Sequence, residues 1–470
     1  MNKLTFVAFL SLAAVSAAQD DFPLTADSKP QAGVPKGEII KGVYEAGEGG
    51  VFPGTSREYQ IYLPAGHDKQ HAAPMMLFQD GVIYQAPTVF DNLIAKKEIP
   101  PLVGIFVRPG VVPPADENAL PRFNRSFEYD SITDRYAGFI IDEFLPVIVA
   151  RHGLKLSTDP NARAIAGSSS GGICAFMVAW HRPDVFRRVF TSVGTYIGLH
   201  GADQLPVLVR KQEPKALRVY LQSGEQDNNF YCGDWWMANQ TMERSLTWNG
   251  YEVAHTWGTG GHNQKHASAI FPDVLRWLWK GYPDQPVRAN PDKTAKWRGY
   301  EVIGEGMWEE TAAVPTVFAS ALRNKRKDGK VAKGQSSIWL PDQTQFVSVK
   351  PNERWGMISQ VNANGDVAHT QPYLDLQADF DGEFHAGGMC VDTNGWLYVA
   401  TSLGVQVLDQ CGRVNFIIAC PAEPTDVCFG GSAMNELFIS DGHRIWKRST
   451  KAKGYLSATM TPLKPPAPKL

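Results

Sequence analysis

One short segment carries the residue types and the spacing of a serine nucleophile. Residues 163–171 read Arg-Ala-Ile-Ala-Gly-Ser-Ser-Ser-Gly, so that Ser169 lies between Gly167 and Gly171. Two glycines at this spacing let the backbone turn sharply, which exposes the central serine at the end of a strand and faces it towards the N–H groups of a following helix. Ser169 is therefore the candidate nucleophile.

The residues on either side predict the strand and the helix that such a turn requires. Ile165 and Ala166 end a short apolar run that is typical of a buried strand. Pro183 predicts where the helix ends. A Gly/Ser-rich loop that merely caps a helix is the alternative, and it leaves the flanking pattern unexplained. Apolar residues recur after the turn at helical spacing, at Ile173, Phe176, Met177 and Trp180.

A serine hydroxyl is a poor nucleophile until a base takes its proton, and the base needs an acid that fixes its tautomer. The predicted strand 218–222 is followed by Ser-Gly-Glu-Gln-Asp, which places Asp227 on a loop at the C-terminal edge of the sheet. Asp227 is the candidate acid. Glu225 and Asp234 lie close enough in sequence to be rivals.

The candidate base is a histidine on a glycine-rich turn. Residues 257–263 read Trp-Gly-Thr-Gly-Gly-His-Asn, where little side-chain bulk hinders the approach of His262 to a serine across the top of the sheet. His255 falls inside the preceding predicted strand and His266 inside the following helix. Both are therefore expected to be structural or to lie behind the catalytic groups.

The tetrahedral intermediate of acyl transfer needs backbone N–H donors for its oxyanion. The first donor is predicted at Ser170, directly after the nucleophile. The second is predicted at Gly81 or Val82, because the apolar strand 75–78 ends in Gln-Asp-Gly-Val. An ordinary Asp-Gly turn is the alternative for this second position.

Two further stretches offer side chains for substrate binding. Residues 122–130 form a predicted loop that contains Arg125 and Glu128, which would line a substrate wall or belong to an internal salt-bridge cluster. The residues after the candidate acid offer flat faces for a sugar or an aromatic ring, although tryptophan at helical spacing is also typical of a core. These aromatic candidates are Tyr231, Trp235 and Trp236.

These side chains require a scaffold, and the chain alternates short β-rich runs with helical periods from about residue 56. This alternation predicts an α/β fold with a mostly parallel sheet and helices on both faces. The predicted strands are 59–63, 75–78, 103–107, 165–166, 189–193, 219–222 and 253–257, and the clearest helical periods are 136–151, 235–249 and 269–280.

The sequence pattern changes after Lys280. A Pro/Asp-rich stretch is followed there by short segments of alternating apolar and polar residues, which are separated by Gly, Asn and Asp. A smaller antiparallel β domain is predicted there.

The N-terminus carries Lys3, an apolar run and small residues, which is typical of a cleavable secretory signal. The predicted divisions are a signal peptide at 1–18, the hydrolase at 19–282, a linker at 283–297, the β domain at 298–461 and a flexible tail at 462–470.

Composition narrows the function classes further. A formal net charge of −2 over 470 residues argues against a polyanion partner such as nucleic acid. No apolar run reaches the length of a bilayer span, so a membrane protein is not expected. Six cysteines show no metal-ligand spacing and are expected to be buried thiols, although export would permit a bridge among the four after residue 389.

With these motifs in this order, residues 40–282 resemble the enterochelin-esterase and feruloyl-esterase-like branch of the α/β hydrolases. The resemblance implies hydrolysis of carboxylic esters through an acyl-serine intermediate, with Ser169, Asp227 and His262 in the triad positions. Substrates in that branch include acetyl or feruloyl groups on plant polysaccharides and siderophore esters. The matching pieces are Phe-Gln-Asp-Gly at 78–81, Gly-Ser-Ser-Ser-Gly at 167–171, Gly-Glu-Gln-Asp at 224–227 and Gly-Gly-His-Asn at 260–263.

The region from about residue 298 resembles part of a gluconolactonase or regucalcin-like propeller, through residues 387–399 and 424–431. Such propellers bind one divalent metal through Glu, Asn and Asp. Gly387 stands where the family has an Asp, and the remaining length allows about half of the usual six or so blades. A half propeller leaves sheet edges open, so we expect it to dock on the hydrolase domain or on another copy of itself.

The sequence thus predicts a secreted or periplasmic serine esterase that acts on a small-molecule or carbohydrate ester and needs no metal or organic cofactor. A lactonase that uses the β domain is one alternative, and it would lose activity with a chelator. A carbohydrate-binding protein with a non-catalytic hydrolase pocket is the other.

Overall fold

The computed structural model describes residues 22–315, 318, 320–332, 336–378 and 384–468, with the side chains of 320 and 321 left out. The predicted signal peptide at 1–18 lies outside the described residues. Among the described helices, none is both long and apolar enough to cross a membrane. All six cysteines fall within the described ranges and are free thiols, with Cys411 exposed.

The first part of the chain folds around one large sheet whose order is β12-β9-β8-β7-β3-β4-β2-β5-β6, with β1 paired to β2. Its strands, with the short hairpin β10–β11, are β1 Glu38–Glu45, β2 Ser56–Leu63, β3 Met75–Gln79, β4 Val103–Val107, β5 Val111–Val112, β6 Arg122–Phe123, β7 Arg163–Ser168, β8 Arg188–Ser192, β9 Arg218–Gln226, β10 Asn229–Phe230, β11 Gly233–Asp234 and β12 Glu252–Gly261. The run from β12 to β4 is parallel. The predicted mostly parallel sheet is confirmed.

Helices cover both faces of this sheet because its central strands are apolar on both sides. Met75 and Leu77 of β3 belong to one core cluster, while Met76 and Phe78 belong to the other, as the two-residue period of a strand requires. The helices are α1 Ala86–Ala95, α2 Arg125–Tyr129, α3 Arg135–Gly138, α4 Leu145–His152, α5 Ser170–His181, α6 Leu205–Lys211, α7 Trp235–Trp248 and α8 Lys265–Trp279, with a π-helical turn Phe139–Phe144 between α3 and α4.

The C-terminal part is built from three antiparallel sheets, β13-β24-β23-β22, β14-β15-β16-β17 and β21-β20-β19-β18-β25. This arrangement is consistent with the predicted partial propeller. Its elements are α9 Gly299–Val302, β13 Glu309–Glu310, α10 Ser320–Arg323, β14 Ser336–Trp339, β15 Gln345–Val349, β16 Trp355–Val361, β17 Val367–Asp375, β18 Ala386–Asp392, β19 Leu397–Thr401, β20 Gly404–Leu408, β21 Val414–Ile418, β22 Asp426–Gly430, β23 Glu436–Ser440, β24 Ile445–Ser449 and β25 Gly454–Tyr455.

The two parts are joined by polar contacts and by apolar packing. The backbone N–H of Glu213 donates to the carbonyl of Ile417 at 3.2 Å, and the Glu213 carboxylate accepts two hydrogen bonds of 2.9 Å from Arg448. Trp297 is buried at the end of the predicted linker and packs edge-on against Phe416, with ring centroids 5.4 Å apart. One apolar cluster contains residues of both parts.

Candidate active site

Ser169 occupies a strained turn between β7 and α5. Its φ of 59° and ψ of −123° place it in a conformation that few non-glycine residues adopt. The turn also needs both flanking glycines. A Cβ on Gly167 would lie 2.0 Å from the carbonyl oxygen of Gly171, and a Cβ on Gly171 would lie 2.8 Å from a carboxylate oxygen of Asp80. The side chain of Ser169 is only half-buried, which leaves its hydroxyl accessible.

The structure brings Ser169, His262 and Asp227 into one hydrogen-bonded chain. Nε2 of His262 lies 2.7 Å from Oγ of Ser169, and Nδ1 of His262 lies 2.6 Å from Oδ1 of Asp227. The Asp227 side chain is fully buried, and it also accepts hydrogen bonds from the Ser223 hydroxyl at 2.7 Å and from the Asn228 N–H at 2.8 Å. The three groups can pass a proton from the serine to the imidazole while the carboxylate holds the ring.

The rival acids are engaged elsewhere or point to solvent. Asp234 caps the N-terminus of α7, where Oδ1 accepts the Met237 N–H at 2.9 Å, and it also accepts a hydrogen bond from Asn229. Glu225 is exposed. Neither carboxylate lies against the imidazole of His262.

The rival histidines belong to other environments, as the sequence predicts. His255 lies on β12 and stacks on Trp257, with ring centroids 4.6 Å apart. His266 is buried in α8, where it stacks on Phe22 and contacts the amide of Gln222 at 3.3 Å.

One of the two predicted oxyanion positions needs a correction. The N–H of Gly81 donates to the carbonyl of Val107 at 3.1 Å, so this group is engaged within the sheet and is not directed at a substrate. Val82 follows it, is partly exposed, and its N–H has no hydrogen-bond acceptor in the described part of the chain. Ser170 begins α5, so its N–H is one of the unsatisfied donors of a helix N-terminus. Of the three predicted positions, Val82 and Ser170 thus have N–H groups that remain available as donors.

Glu128 is not available to a substrate, which corrects the prediction that it lines a substrate wall. Its side chain is fully buried and accepts hydrogen bonds of 2.8 and 3.0 Å from the equally buried Arg57, and another from the Gly110 N–H at 3.1 Å. The charge of Glu128 is balanced inside the protein, so the alternative of an internal salt bridge holds for this residue. Arg125 pairs with Asp80 instead.

The aromatic candidates separate into exposed and packed residues. Tyr231 is 96% exposed on the turn between β10 and β11. Trp235 is buried, and its ring meets the His262 ring edge-on at 5.5 Å. Trp236 is half-buried and packs against Trp257 at 5.5 Å. Trp235 therefore packs against the His262 imidazole rather than offering an open face.

Two residues at the site were not predicted. Oγ1 of Thr195 lies 3.3 Å from Oγ of Ser169 and accepts the indole N–H of Trp235 at 3.2 Å. Thr195 follows β8, which pairs in parallel with β7. Its place just after a predicted strand is the sequence feature that could have indicated a position near Ser169. Phe230 is 58% exposed and meets the Trp235 ring edge-on at 5.9 Å, which puts an open aromatic face beside the site.

The β domain has a pocket of about 250 Å³ whose lining includes Gly387, the position at which the resembled family has an Asp. The residues there do not fit a divalent cation. Arg323 forms a two-point ion pair with Asp426, so the carboxylate is already neutralised by a guanidinium. A Cβ on Gly387 would lie 2.0 Å from the carbonyl oxygen of Thr425, so an aspartate cannot replace this glycine without displacing the backbone. The described residues contain no group of three or more His, Cys, Asp or Glu side chains that could hold a metal ion.

Comparison with known families agrees with the two-part fold. Residues 52–266 match the family described as "Putative esterase", and residues 331–443 match the family described as "SMP-30/Gluconolactonase/LRE-like region". The first part of the chain thus has an α/β-hydrolase fold and matches an esterase family, and the second part matches the gluconolactonase-like family. Both resemblances identified from the sequence, to the esterases and to the gluconolactonase-like propellers, are confirmed.

Individual relatives carry esterase descriptions and cover only part of the chain. An endo-1,4-beta-xylanase/feruloyl esterase of Xylanibacter ruminicola is 25% identical over 194 residues, which is 37% of this chain and 23% of that protein. An iron(III) enterobactin esterase of Dickeya dadantii is 28% identical over 166 residues, which is 32% of this chain and 36% of that protein. The chain thus spans 23% to 36% of the length of these curated relatives.

Two solved structures are similar to part of this chain. An enterobactin esterase from Shigella flexneri has a TM-score of 0.42 at 20% identity, with 55% of this chain and 63% of that chain covered. A ferulic acid esterase from Anaeromyces mucronatus has a TM-score of 0.41 at 15% identity, with 56% and 98% covered.

Proposed function

We propose that this protein is a serine hydrolase of carboxylic esters. The observation that carries the proposal is the hydrogen-bonded chain from the half-buried Ser169 hydroxyl through His262 to the buried Asp227, with distances of 2.7 and 2.6 Å. The esterase family of residues 52–266 supports it independently.

In this mechanism, Nε2 of His262 accepts the hydroxyl proton of Ser169 as Oγ attacks the ester carbonyl carbon. The negative charge that develops on the carbonyl oxygen is stabilised by the N–H groups of Ser170 and Val82. The imidazolium donates its proton to the departing alkoxide, and an acyl-serine remains. Water then attacks with its proton taken by His262, and the carboxylic acid leaves as Oγ regains a proton.

The substrate class that we favour is an acetyl or feruloyl ester of a carbohydrate or a similar small ester. Two exposed aromatic residues after the acid, Phe230 and Tyr231, support an apolar or aromatic substrate group beside the imidazole. The relatives include a feruloyl esterase and an enterobactin esterase. We further propose export to the periplasm or medium through residues 1–18, which amino-terminal sequencing of the mature protein would test.

The test is a substrate panel with purified protein: p-nitrophenyl acetate, methyl ferulate and a sugar lactone, each with and without chelator. Ser169→Ala and His262→Ala should each abolish ester hydrolysis, whereas the control His255→Ala should retain it, since His255 stacks on Trp257 away from the serine. A fluorophosphonate should add once, on the peptide that contains Ser169.

The remaining outcomes separate the alternatives. Ester turnover that survives both active-site substitutions would refute the proposal. Lactone turnover lost with chelator and unchanged by Ser169→Ala would favour a lactonase in the β domain. Retention of a glycan without turnover of any ester would favour a carbohydrate-binding protein.

A further inference from the structure

The loop that presents Val82 has an unusual backbone. Asp80 and Gly81 have φ values of 65° and 83°, and Tyr84 and Gln85 follow with 58° and 52°. Left-handed backbone at three non-glycine positions in six residues is costly and persists only when the surroundings hold it. The loop must therefore be fixed by contacts from elsewhere in the chain.

Arg125 supplies the charged part of those contacts. Its Nε and Nη2 donate to the two carboxylate oxygens of Asp80 at 2.7 and 2.8 Å, a two-point geometry that fixes both planes. The same guanidinium donates from Nη1 to the hydroxyl of Ser170 at 3.0 Å and from Nη2 to the carbonyl of Ser168 at 3.4 Å. Arg125 thus contacts both the loop before Val82 and the turn around the nucleophile.

Two further contacts bring the same two segments together. The hydroxyl of Tyr84 donates to the carbonyl of Gly167 at 3.0 Å, and Asp80 packs so closely on Gly171 that a Cβ there would lie 2.8 Å from the carboxylate. These contacts set how far apart the segments lie. The Arg125 guanidinium fixes the angle between the two segments, because it hydrogen-bonds the Asp80 carboxylate of one segment and the Ser170 hydroxyl of the other.

We propose that Arg125 is a positioning residue that assembles the oxyanion hole, joining the loop that carries the Val82 N–H to the turn that carries the Ser170 N–H. This inference rests on the proposed esterase function. It replaces the prediction that Arg125 binds substrate: the carboxylate of Asp80 balances its charge, and each of its three nitrogens donates to a protein acceptor. Arg125 acts on the reaction only through the two N–H groups.

A positioning role has a kinetic signature that substrate binding lacks. Displaced N–H donors stabilise the transition state less, whereas binding of the ester in the ground state changes little. As a result kcat falls while KM stays nearly constant. For Arg125→Gln we expect kcat on p-nitrophenyl acetate to fall by about 10²-fold, comparable with losing one oxyanion donor. KM should change by less than about twofold. A boronic acid, which forms a tetrahedral adduct with the serine, should lose affinity in parallel with kcat.

Conservative variants make the test specific. Arg125→Lys keeps the charge without the two-point fork and should recover part of the loss, and millimolar guanidinium should partly rescue Arg125→Ala. Asp80→Asn should resemble Arg125→Gln, and the double variant should be little worse than either single variant because both break one contact. The control is Arg122→Gln, three residues earlier on β6, whose side chain contacts Asn124 and not Asp80. Melting temperatures establish that each variant folds.

A rise in KM with unchanged kcat, or a loss confined to acidic esters, would overturn the inference in favour of direct substrate binding. Additive losses in the double variant, or no rescue by Lys and guanidinium, would also overturn it. The two proposals fail separately. If Ser169→Ala remains active, the esterase mechanism is wrong; if Ser169→Ala is inactive and Arg125→Gln is normal, only the role of Arg125 is wrong.

Discussion

Replacing Asp227 with asparagine removes the charge beside His262 and keeps the shape of the side chain. Oδ1 of Asp227 accepts the Asn228 N–H at 2.8 Å and lies 2.6 Å from Nδ1 of His262, while Oδ2 accepts the Ser223 hydroxyl at 2.7 Å. A backbone N–H can only donate, whereas a serine hydroxyl can also accept. We therefore expect the new amide to keep its oxygen at the Oδ1 position and to turn its NH₂ group towards Ser223.

This orientation leaves an acceptor at Nδ1 of His262, so the imidazole keeps the tautomer that presents Nε2 to Ser169. The loss is then that of the charge that stabilises the imidazolium. A hydrogen bond to a charged group exceeds a neutral one by about 1–2 kcal/mol, and two unit charges 4 Å apart interact by about 4 kcal/mol at an effective dielectric constant near 20. At about 1.4 kcal/mol per factor of ten, kcat/KM should fall by about 10²-fold, between about 10 and 10³.

The assay is hydrolysis of p-nitrophenyl acetate by Asp227→Asn, with Asp234→Asn as the matched control. Asn at 234 can still accept the Met237 N–H at the start of α7, so the control should stay within about twofold of the unmodified protein. A loss of about 10⁴-fold, the size seen when the same substitution inverts the tautomer in a serine protease, would refute the orientation set by Asn228. A loss below about fivefold would remove Asp227 from the role of acid.

Three further outcomes follow from packing and burial. Gly387→Asp should lower the melting temperature and create no metal site, because its Cβ would lie 2.0 Å from the Thr425 carbonyl oxygen; stoichiometric Ca²⁺ binding in equilibrium dialysis would contradict this. Glu213→Ala should lower the free energy of unfolding by about 3 kcal/mol, since it leaves the buried Arg448 without its carboxylate, and kcat should not change; urea unfolding and the ester assay measure both. Burial lowers the pKa of His181 to about 4, so the unfolded chain binds more protons between pH 4 and 6.5. Stability should therefore fall as pH drops through this range, and His181→Gln should flatten that part of the profile.

The sequence was sufficient for the central strands and for the three groups of the hydrogen-bonded chain. Strands such as β4 and β7 are apolar on both faces, so a continuous apolar run marks them without tertiary information. The missed strand β1 has only Tyr44 buried, because it lies at the edge of the sheet and pairs with β2 alone. An edge strand of this kind carries no hydrophobic pattern that distinguishes it from a loop.

The site predictions that failed did so because the hydrogen-bond or ion-pair partner of the residue lies far away in the sequence. Glu128 sits in a charged loop, but its partner Arg57 lies 71 residues earlier in the chain, so only the fold shows that the pair is buried. Gly81 lies in the loop that the sequence predicts to hold an oxyanion donor. Its N–H is not free for that role, because it donates to the carbonyl of Val107 on the neighbouring β4. Arg323 begins a run rich in Lys and Arg, residues 323–330, and is nevertheless buried against Asp426, which lies 103 residues later in the chain.

The partial propeller has a structural reason to accompany the hydrolase. The buried apolar face of α6, formed by Leu205, Leu208 and Val209, belongs to the same core cluster as Ile417 of β21. Without the β domain this face would lose part of its cover, and apolar surface returned to water costs about 25 cal/mol per Å². Conversely, three antiparallel sheets do not close a propeller ring, so the β domain needs a neighbouring surface for its outer strand. Each part thus covers surface that the other would leave open. His181, the last residue of α5, lines the cavity between the two parts, and Ser169 directly precedes the first residue of the same helix.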